Sequence, residues 1–283
     1  MSHNLPIAVG VDGSPMSLAA VRWAARAAAV HDTSLDLIAA SQAPRTPVID
    51  HVVPTSYFRA ARERHEHELT QAMRFVEKEA PGVEVRQHFE QKSSRNALLT
   101  WAARCATVVV GAPGHGRVAG ALTGSVAGTV AAHASCPVAV IREEGTETET
   151  DRITVGYDGS VISQRAVEAA ADEAFARGST LAIVSAWDSS TLALHGDEHL
   201  PAVDLIANRL GDVADSVKSQ MPKLDVTTEV IDGDANDALT DLSQTSDLVV
   251  MGSRGRGGFA GLLLGSRVQH VLRTAHCPLL IVH

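Results

Sequence analysis

The chain is written twice, and that repetition limits its possible folds more than any other feature. Val9-Gly-Val-Asp-Gly-Ser14 returns as Val155-Gly-Tyr-Asp-Gly-Ser160, Gly111-Ala-Pro-Gly114 as Gly252-Ser-Arg-Gly255, and Cys136-Pro-Val138 as Cys277-Pro-Leu279. Asp12 and Asp158 stand 146 positions apart, whereas Gly111 and Gly252, like Cys136 and Cys277, stand 141 apart; the second copy is therefore five residues shorter in its middle. A length of 283 residues suits two domains of about 140 better than one. Between the copies, Glu143 to Asp151 contains no apolar residue and reads as a solvated linker. The expected division is a domain over 1–142, a linker over 143–151 and a second domain over 152–283.

Within each copy, short β-branched runs alternate with helical patterns. In the first copy the expected strands are Ile7–Val11, Leu35–Ala40, Val83–Phe89, Thr107–Val110 and Pro137–Ile141. The intervening helices are Leu18–Val30, with Ser14 as N-cap and Pro15 at its first position, then Phe58–Glu79, Asn96–Arg104 and Ser125–Ala134. The second copy repeats the order, with strands at Ile153–Tyr157, Leu181–Ala186, Val226–Val230, Leu248–Met251 and Pro278–Val282. Its helices are Arg165–Arg177, Val203–Met221, Ala238–Gln244 and Val268–Thr274. Strands that lack polar alternation and are separated by helices indicate a parallel sheet covered on both faces. Such doubly wound α/β sheets bind ligands beyond the carboxyl ends of their strands.

Composition narrows the function. With 24 Lys+Arg against 33 Asp+Glu the net charge is −9, which disfavours nucleic acid as a partner. No apolar run approaches the roughly 20 residues of a membrane span, and the first residues carry no basic, apolar export pattern. Cys105, Cys136 and Cys277 are widely spaced and sit among small or apolar neighbours. They are expected to be reduced, buried thiols of a cytoplasmic protein, with no disulfide framework or zinc site.

The strongest chemical signal follows the fourth strand of each copy. Gly111, Gly114, Gly124 and Ser125 form G-x2-G-x9-G-S, and Gly252, Gly255, Gly265 and Ser266 repeat it without change of spacing. Glycines let several backbone N–H groups approach one anion. Gly124-Ser125-Val126 and Gly265-Ser266-Arg267-Val268 open helices whose free N–H groups and dipole favour phosphate. His115 and Arg117 in the first loop, with Arg254, Arg256 and Arg267 in the second, add local positive charge. Gly114-His115-Gly116 and Gly255-Arg256-Gly257 look like the start of a dinucleotide fingerprint, but they follow the wrong strand. No G-x4-G-K-[ST] is present, so the lysine that would neutralise a leaving phosphate is missing. At the ends of the first strands, Asp12 and Asp158 suit ribose hydroxyls, with bonding to the backbone of their own following turn as the lesser alternative. Ala40 and Ala186, ending the second strands, leave room for a flat base.

These motifs make both copies resemble the universal stress protein domain, in its tandem, actinobacterial form. The resemblance spans nearly the whole chain and rests on V-G-[VY]-D-G-S, G-x2-G-x9-G-S and the closing C-P-[VL]. It implies five-stranded sheets of order 3-2-1-4-5, with the last strands pairing as an internal pseudo-dimer and a further homodimer between chains. It also implies ATP as ligand, with Mg2+ on its phosphates. Asp12 and Asp158 would meet the ribose, with Gly10 and Gly156 beside them, and Ala40 and Ala186 would face adenine. The two glycine-rich loops would hold the phosphates. Pro113, which removes one N–H from the first loop, and Arg267, where small apolar residues are usual, depart from the pattern.

Other features carry less. His65-Glu66-His67 and the His195 to His199 segment have the wrong spacing for a metal and read as surface histidines. The charged run from Arg62 to Glu68 reads as a solvated helix face, and Trp23, Trp101 and Trp187 as packing residues. The function expected is a nucleotide-binding stress-response regulator. A slow ATPase and a nucleotide-free interaction scaffold are the alternatives.

Overall fold

Apolar strands alternating with amphipathic helices build two copies of one α/β layer arrangement. The computed structural model describes residues 5–42, 55–112, 125–142, 150–187, 199–255 and 264–283. Ser2–Pro113 with Gly124–Glu143 belong to one compact unit, and Glu144–His283 to another. In unit one the elements run β1 (Ile7–Val11), α1 (Pro15–Val30), β2 (Leu35–Ala40), α2 (Thr55–Glu79), β3 (Val85–Glu90), α3 (Ser94–Ala102), β4 (Thr107–Ala112), α4 (Ser125–His133) and β5 (Val138–Arg142). Unit two continues with β6 (Arg152–Gly156), α5 (Val161–Arg177), β7 (Thr180–Trp187), α6 (His199–Gln220), β8 (Val226–Asp232), α7 (Ala235–Leu242), β9 (Leu248–Gly252), α8 (Ser266–Thr274) and β10 (Leu279–Val282).

The strand order is β3-β2-β1-β4-β5 in unit one and β8-β7-β6-β9-β10 in unit two, and neighbours within each unit are parallel. This is the expected 3-2-1-4-5 arrangement, and it puts the reversal of strand order between the first and fourth strands. Right-handed crossovers running in opposite directions from that point place helices on both faces. In unit one, α1 packs with α2, and α3 with α4. The central strands are almost wholly buried: Ala8, Val9, Val108 and Val109 in one unit, Ile153, Val155, Val249 and Val250 in the other.

Local signals set the first helices. Ser14 Oγ accepts from Ser17 N at 3.1 Å, and Ser160 Oγ from Ser163 N at the same distance, so both helices have side-chain caps. The cap starts α5 at Val161, four residues before the expected Arg165, because a satisfied N-cap outweighs the weak helix propensity of Val161 and Ile162. Gly178, at φ 70°, closes α5 in the left-handed conformation.

Glu173 on α5 is 1% exposed and accepts from Arg177 Nε at 2.8 Å. Removing the cation while keeping the carboxylate takes a charge-assisted hydrogen bond from a buried ionised group. Arg177→Met is expected to lower unfolding stability by about 3 kcal/mol, measured by urea titration. A loss below about 1 kcal/mol, the scale of an exposed pair, would show that the pair behaves as a surface contact.

The cysteines are free and buried, as expected. What spacing concealed is that Cys105 Sγ and Cys136 Sγ lie 3.8 Å apart, before β4 and β5. Their mutual hydrogen bond, followed by burial, pushes the Cys105 thiol well above its ordinary value. An aromatic disulfide reagent is therefore expected to leave all three cysteines unmodified in native buffer and to titrate them after denaturation. Rapid labelling of the native protein would contradict that burial.

Candidate nucleotide site

The Asp-Gly-Ser turn after the first strand is closed by the same hydrogen bond in both units. Asp12 Oδ1 accepts from Ser14 N at 3.0 Å, and Asp158 Oδ1 from Ser160 N at 3.0 Å. Gly13 and Gly159 take φ values of 74° and 79°, which only glycine adopts without strain. Each aspartate thus has a turn-closing role, and each also lines a cavity at the carboxyl edge of its sheet.

The cavity of unit two has a volume of about 630 Å³. It brings together Gly156, Asp158, Ala186, Gly252, Arg254, Gly255, Gly265, Ser266, Arg267 and Val268, all singled out from sequence. Two of the glycines have different reasons to be there. A Cβ on Gly252 would lie 2.7 Å from Ile162 Cγ2, so that position serves the close approach of α5 to the end of β9. A Cβ on Gly255 would instead lie 2.5 Å from Asp158 Oδ2 and 3.4 Å from Arg267 Nη1. Gly255 therefore lets backbone, carboxylate and guanidinium converge.

Helix α8 opens at one end of the cavity, with an N-terminus suited to an anion. Its N-cap is Gly265, with no side-chain cap hydrogen bond, and Gly265 N donates to Ser253 O at 2.9 Å. The N–H groups of the first turn have no intrahelical acceptor, and they carry the positive end of the dipole. Among the described lining residues, three are cationic, Arg209, Arg254 and Arg267, against the single carboxylate of Asp158. The local potential is positive although the chain is acidic. Burial, and then the charge of Arg254, hold the His283 imidazole below its usual pKa.

The opposite end is apolar, with Val184, Ala186, Ile206, Leu210, Ile231 and Leu239. Tyr157 and Trp187 also line it. Trp187, read from sequence as a packing residue, is corrected here to a cavity-wall residue. It follows Ala186 at the carboxyl end of β7, so its strand-end position was the available signal. Arg209 and Ile206 carried none, since on a helix remote in sequence they look like an ordinary amphipathic face.

Unit one has a hollow of about 270 Å³ in the equivalent place, lined by Gly10, Asp12, Ala40, Gly111 and Val126 among others. Ser125 is the first residue of α4. Gly111 is a packing glycine: a Cβ there would lie 2.5 Å from the Met16 carbonyl oxygen. Pro113, Gly114, His115, Gly116, Arg117, Gly124, Arg256 and Gly257 lie outside the described residues, as does most of the expected linker. Among the described residues, no group of three His, Cys, Asp or Glu could hold a metal ion, and no helix is long and apolar enough to cross a membrane.

Comparison with known proteins gives the two cavities a family context. A model of the universal stress protein family matches residues 4–142 and again 149–283. The chain belongs to the universal stress protein family. This universal stress protein is 30% identical over 287 residues to Universal stress protein Rv2623 of Mycobacterium tuberculosis, covering 99% of this chain and 97% of that one. It is 33% identical over 313 residues to Universal stress protein Rv1996 of the same organism, covering 98% and 95%. A universal stress protein structure from Archaeoglobus fulgidus shares the tandem fold with a TM-score of 0.75 at 18% identity, over 98% of this chain and 97% of that one.

Proposed function

We propose that this universal stress protein binds an adenine nucleotide, ATP with Mg2+, and acts as a cytoplasmic stress-response regulator with little or no turnover. The observation that carries this is the two-ended cavity of unit two: an apolar slot beside Ala186 and Trp187, and an uncapped α8 N-terminus flanked by Arg254 and Arg267. Its volume falls within the range of about 300–1,000 Å³ usual for small-ligand sites. In this arrangement the base lies against the apolar wall and Asp158 accepts from ribose hydroxyls. The phosphates meet Gly255, Ser266 and the first turn of α8. Magnesium would arrive on the phosphates, adding charge neutralisation there.

Slow turnover follows from what the cavity offers. Among the described residues its one lining carboxylate, Asp158, is tied through Oδ1 to the Ser160 N–H, an anchored acceptor better suited to a hydroxyl than to activating a water. No lysine lines it. Occupancy would act by favouring one conformation or assembly state, including a homodimer, over another, which requires unequal affinity for the two. The test is to denature the purified protein, identify any released nucleotide, and follow phosphate release under saturating MgATP. Absence of any nucleotide, retained or bound at millimolar concentration, would overturn the proposal. Turnover above about one per second, within the ordinary enzyme range, would establish an ATPase instead.

A further inference from the structure

The two units share their strand ends but differ in the walls beside them, and sheet register shows where. Ala40 pairs with Glu90 across β2 and β3, whereas Ala186 pairs with Ile231 across β7 and β8. A carboxylate thus stands in unit one where unit two has an apolar cavity wall. The residue after Ala40 is Ser41, and the one after Ala186 is Trp187. Helices α2 and α6 continue the contrast. Pro81 and Pro222 follow them at matching distances, and Leu69 and Leu210 are both buried, which aligns Glu68 with Arg209 and His65 with Ile206.

These substitutions change the shape as well as the charge. His65 was expected on the surface, but it turns inward, its Nδ1 2.7 Å from Glu68 Oε2 and its ring centroid 5.4 Å from that of Phe89. The two paired side chains are only 12% and 14% exposed. Glu68 also reaches over the turn, its Cγ 3.0 Å from where a Cβ on Gly13 would be. Among the described residues, the hollow of unit one has no lining from α2 or β3, whereas that of unit two reaches Ile206, Arg209 and Leu210 on α6 and Ile231 on β8. Glu90 is held ionised: partial burial opposes this, but hydrogen bonds from Trp101 and Lys92 outweigh it. A nucleotide in unit one would bring its sugar beside Asp12 and Glu68 and its base toward Glu90, with neither Trp187 nor Arg209 in the equivalent places.

We propose that the two sites are not equivalent: each chain takes one adenine nucleotide, in unit two, and His65, Glu68 and Glu90 close the equivalent position in unit one to it. This rests on the nucleotide-binding function proposed above and adds stoichiometry and selectivity to it. Full-length protein dialysed against labelled MgATP is expected to saturate at one nucleotide per chain. Photo-crosslinking with 2-azido-ATP should place adducts only within residues 150–283. Transplanting unit-one residues into unit two, as Trp187→Ser with Ile231→Glu, should weaken binding at least tenfold. Arg209→Glu, on an exposed position of α6 that leaves the core intact, should weaken it in the same direction. Two nucleotides per chain, adducts in residues 1–142, or unchanged affinity in Arg209→Glu would overturn the inequivalence while leaving nucleotide binding standing. Failure of wild-type protein to bind at millimolar MgATP would overturn both.

Discussion

Gly255→Glu is expected to abolish nucleotide binding in unit two while leaving the fold intact. The first atom of the new side chain would fall 2.5 Å from Asp158 Oδ2, so the aspartate must move out of the position in which it lines the cavity. The added carboxylate would compete for Arg267, whose Nη1 lies 3.4 Å from that same point. One substitution thus blocks the approach to the backbone, displaces a polar wall group and cancels a cation. Even the loss of one buried charge-assisted contact is worth about 2 kcal/mol, and two such effects together correspond to at least a hundredfold in affinity. Gly255→Ala separates the causes, since it displaces the carboxylate without adding charge. Calorimetric titration with MgATP, on protein whose circular dichroism matches wild type, checks both variants. Wild-type affinity in Gly255→Glu would put the ligand elsewhere.

Gly111→Ala is expected to act on stability. Its Cβ would lie 2.5 Å from Met16 O and 2.6 Å from Met16 C, both backbone atoms at the start of α1. A flexible side chain could swing away from such a contact, but a helix start held by the Ser14 cap and packed on β1 and β4 cannot do so without cost. Overpacking of this kind typically costs 1–3 kcal/mol, and the backbone partner places Gly111→Ala near the upper end, at about 3 kcal/mol. Chemical denaturation would show it as an earlier unfolding midpoint. A shift within about 0.5 kcal/mol would mean that α1 yields easily, and that Gly111 is present for the ligand more than for packing.

The sequence made the fold legible because it offered two samples of the same physics. Ser14 and Ser160 announce helix starts, and the unalternating apolar runs announce buried parallel strands. Errors gathered where a local signal was weak. The expected strand Val83–Phe89 is Val85–Glu90, since Val83 N is taken by Ala80 O in the turn through Gly82. The expected helices Asn96–Arg104 and Ala238–Gln244 begin earlier, at Ser94 and Ala235, because Ser93 and Asp234 provide side-chain caps. The site was legible at the strand ends and in the repeated glycine spacing that leads into α8. Ala186 was found because it ends a strand, and Gly255 because it repeats a spacing. Arg209, Ile206 and Ile231 reach the cavity through tertiary packing of α6 and β8, which no local pattern encodes. His65 and Glu68 looked like part of a solvated charge run, and Arg62 does pair with Glu66 on that exposed face at 2.7 Å. One turn of helix decided which charges faced water and which faced the sheet.

The Asp-Gly-Ser turn has a consequence for how tightly a ligand can be held. Asp158 is anchored through Oδ1 by the Ser160 N–H, and Ser160 in turn caps the helix that follows. A ligand that contacts this carboxylate meets a side chain whose rotamer is already fixed. Freezing a mobile side chain on association costs about 0.5–1.5 kcal/mol, and this residue is largely exempt from that loss. The same anchoring holds Asp12, in the unit proposed to stay without nucleotide. Rigidity at this wall is therefore a property of the fold itself, in place before any ligand arrives. Discrimination is left to the neighbouring walls, where the two halves of the chain have diverged.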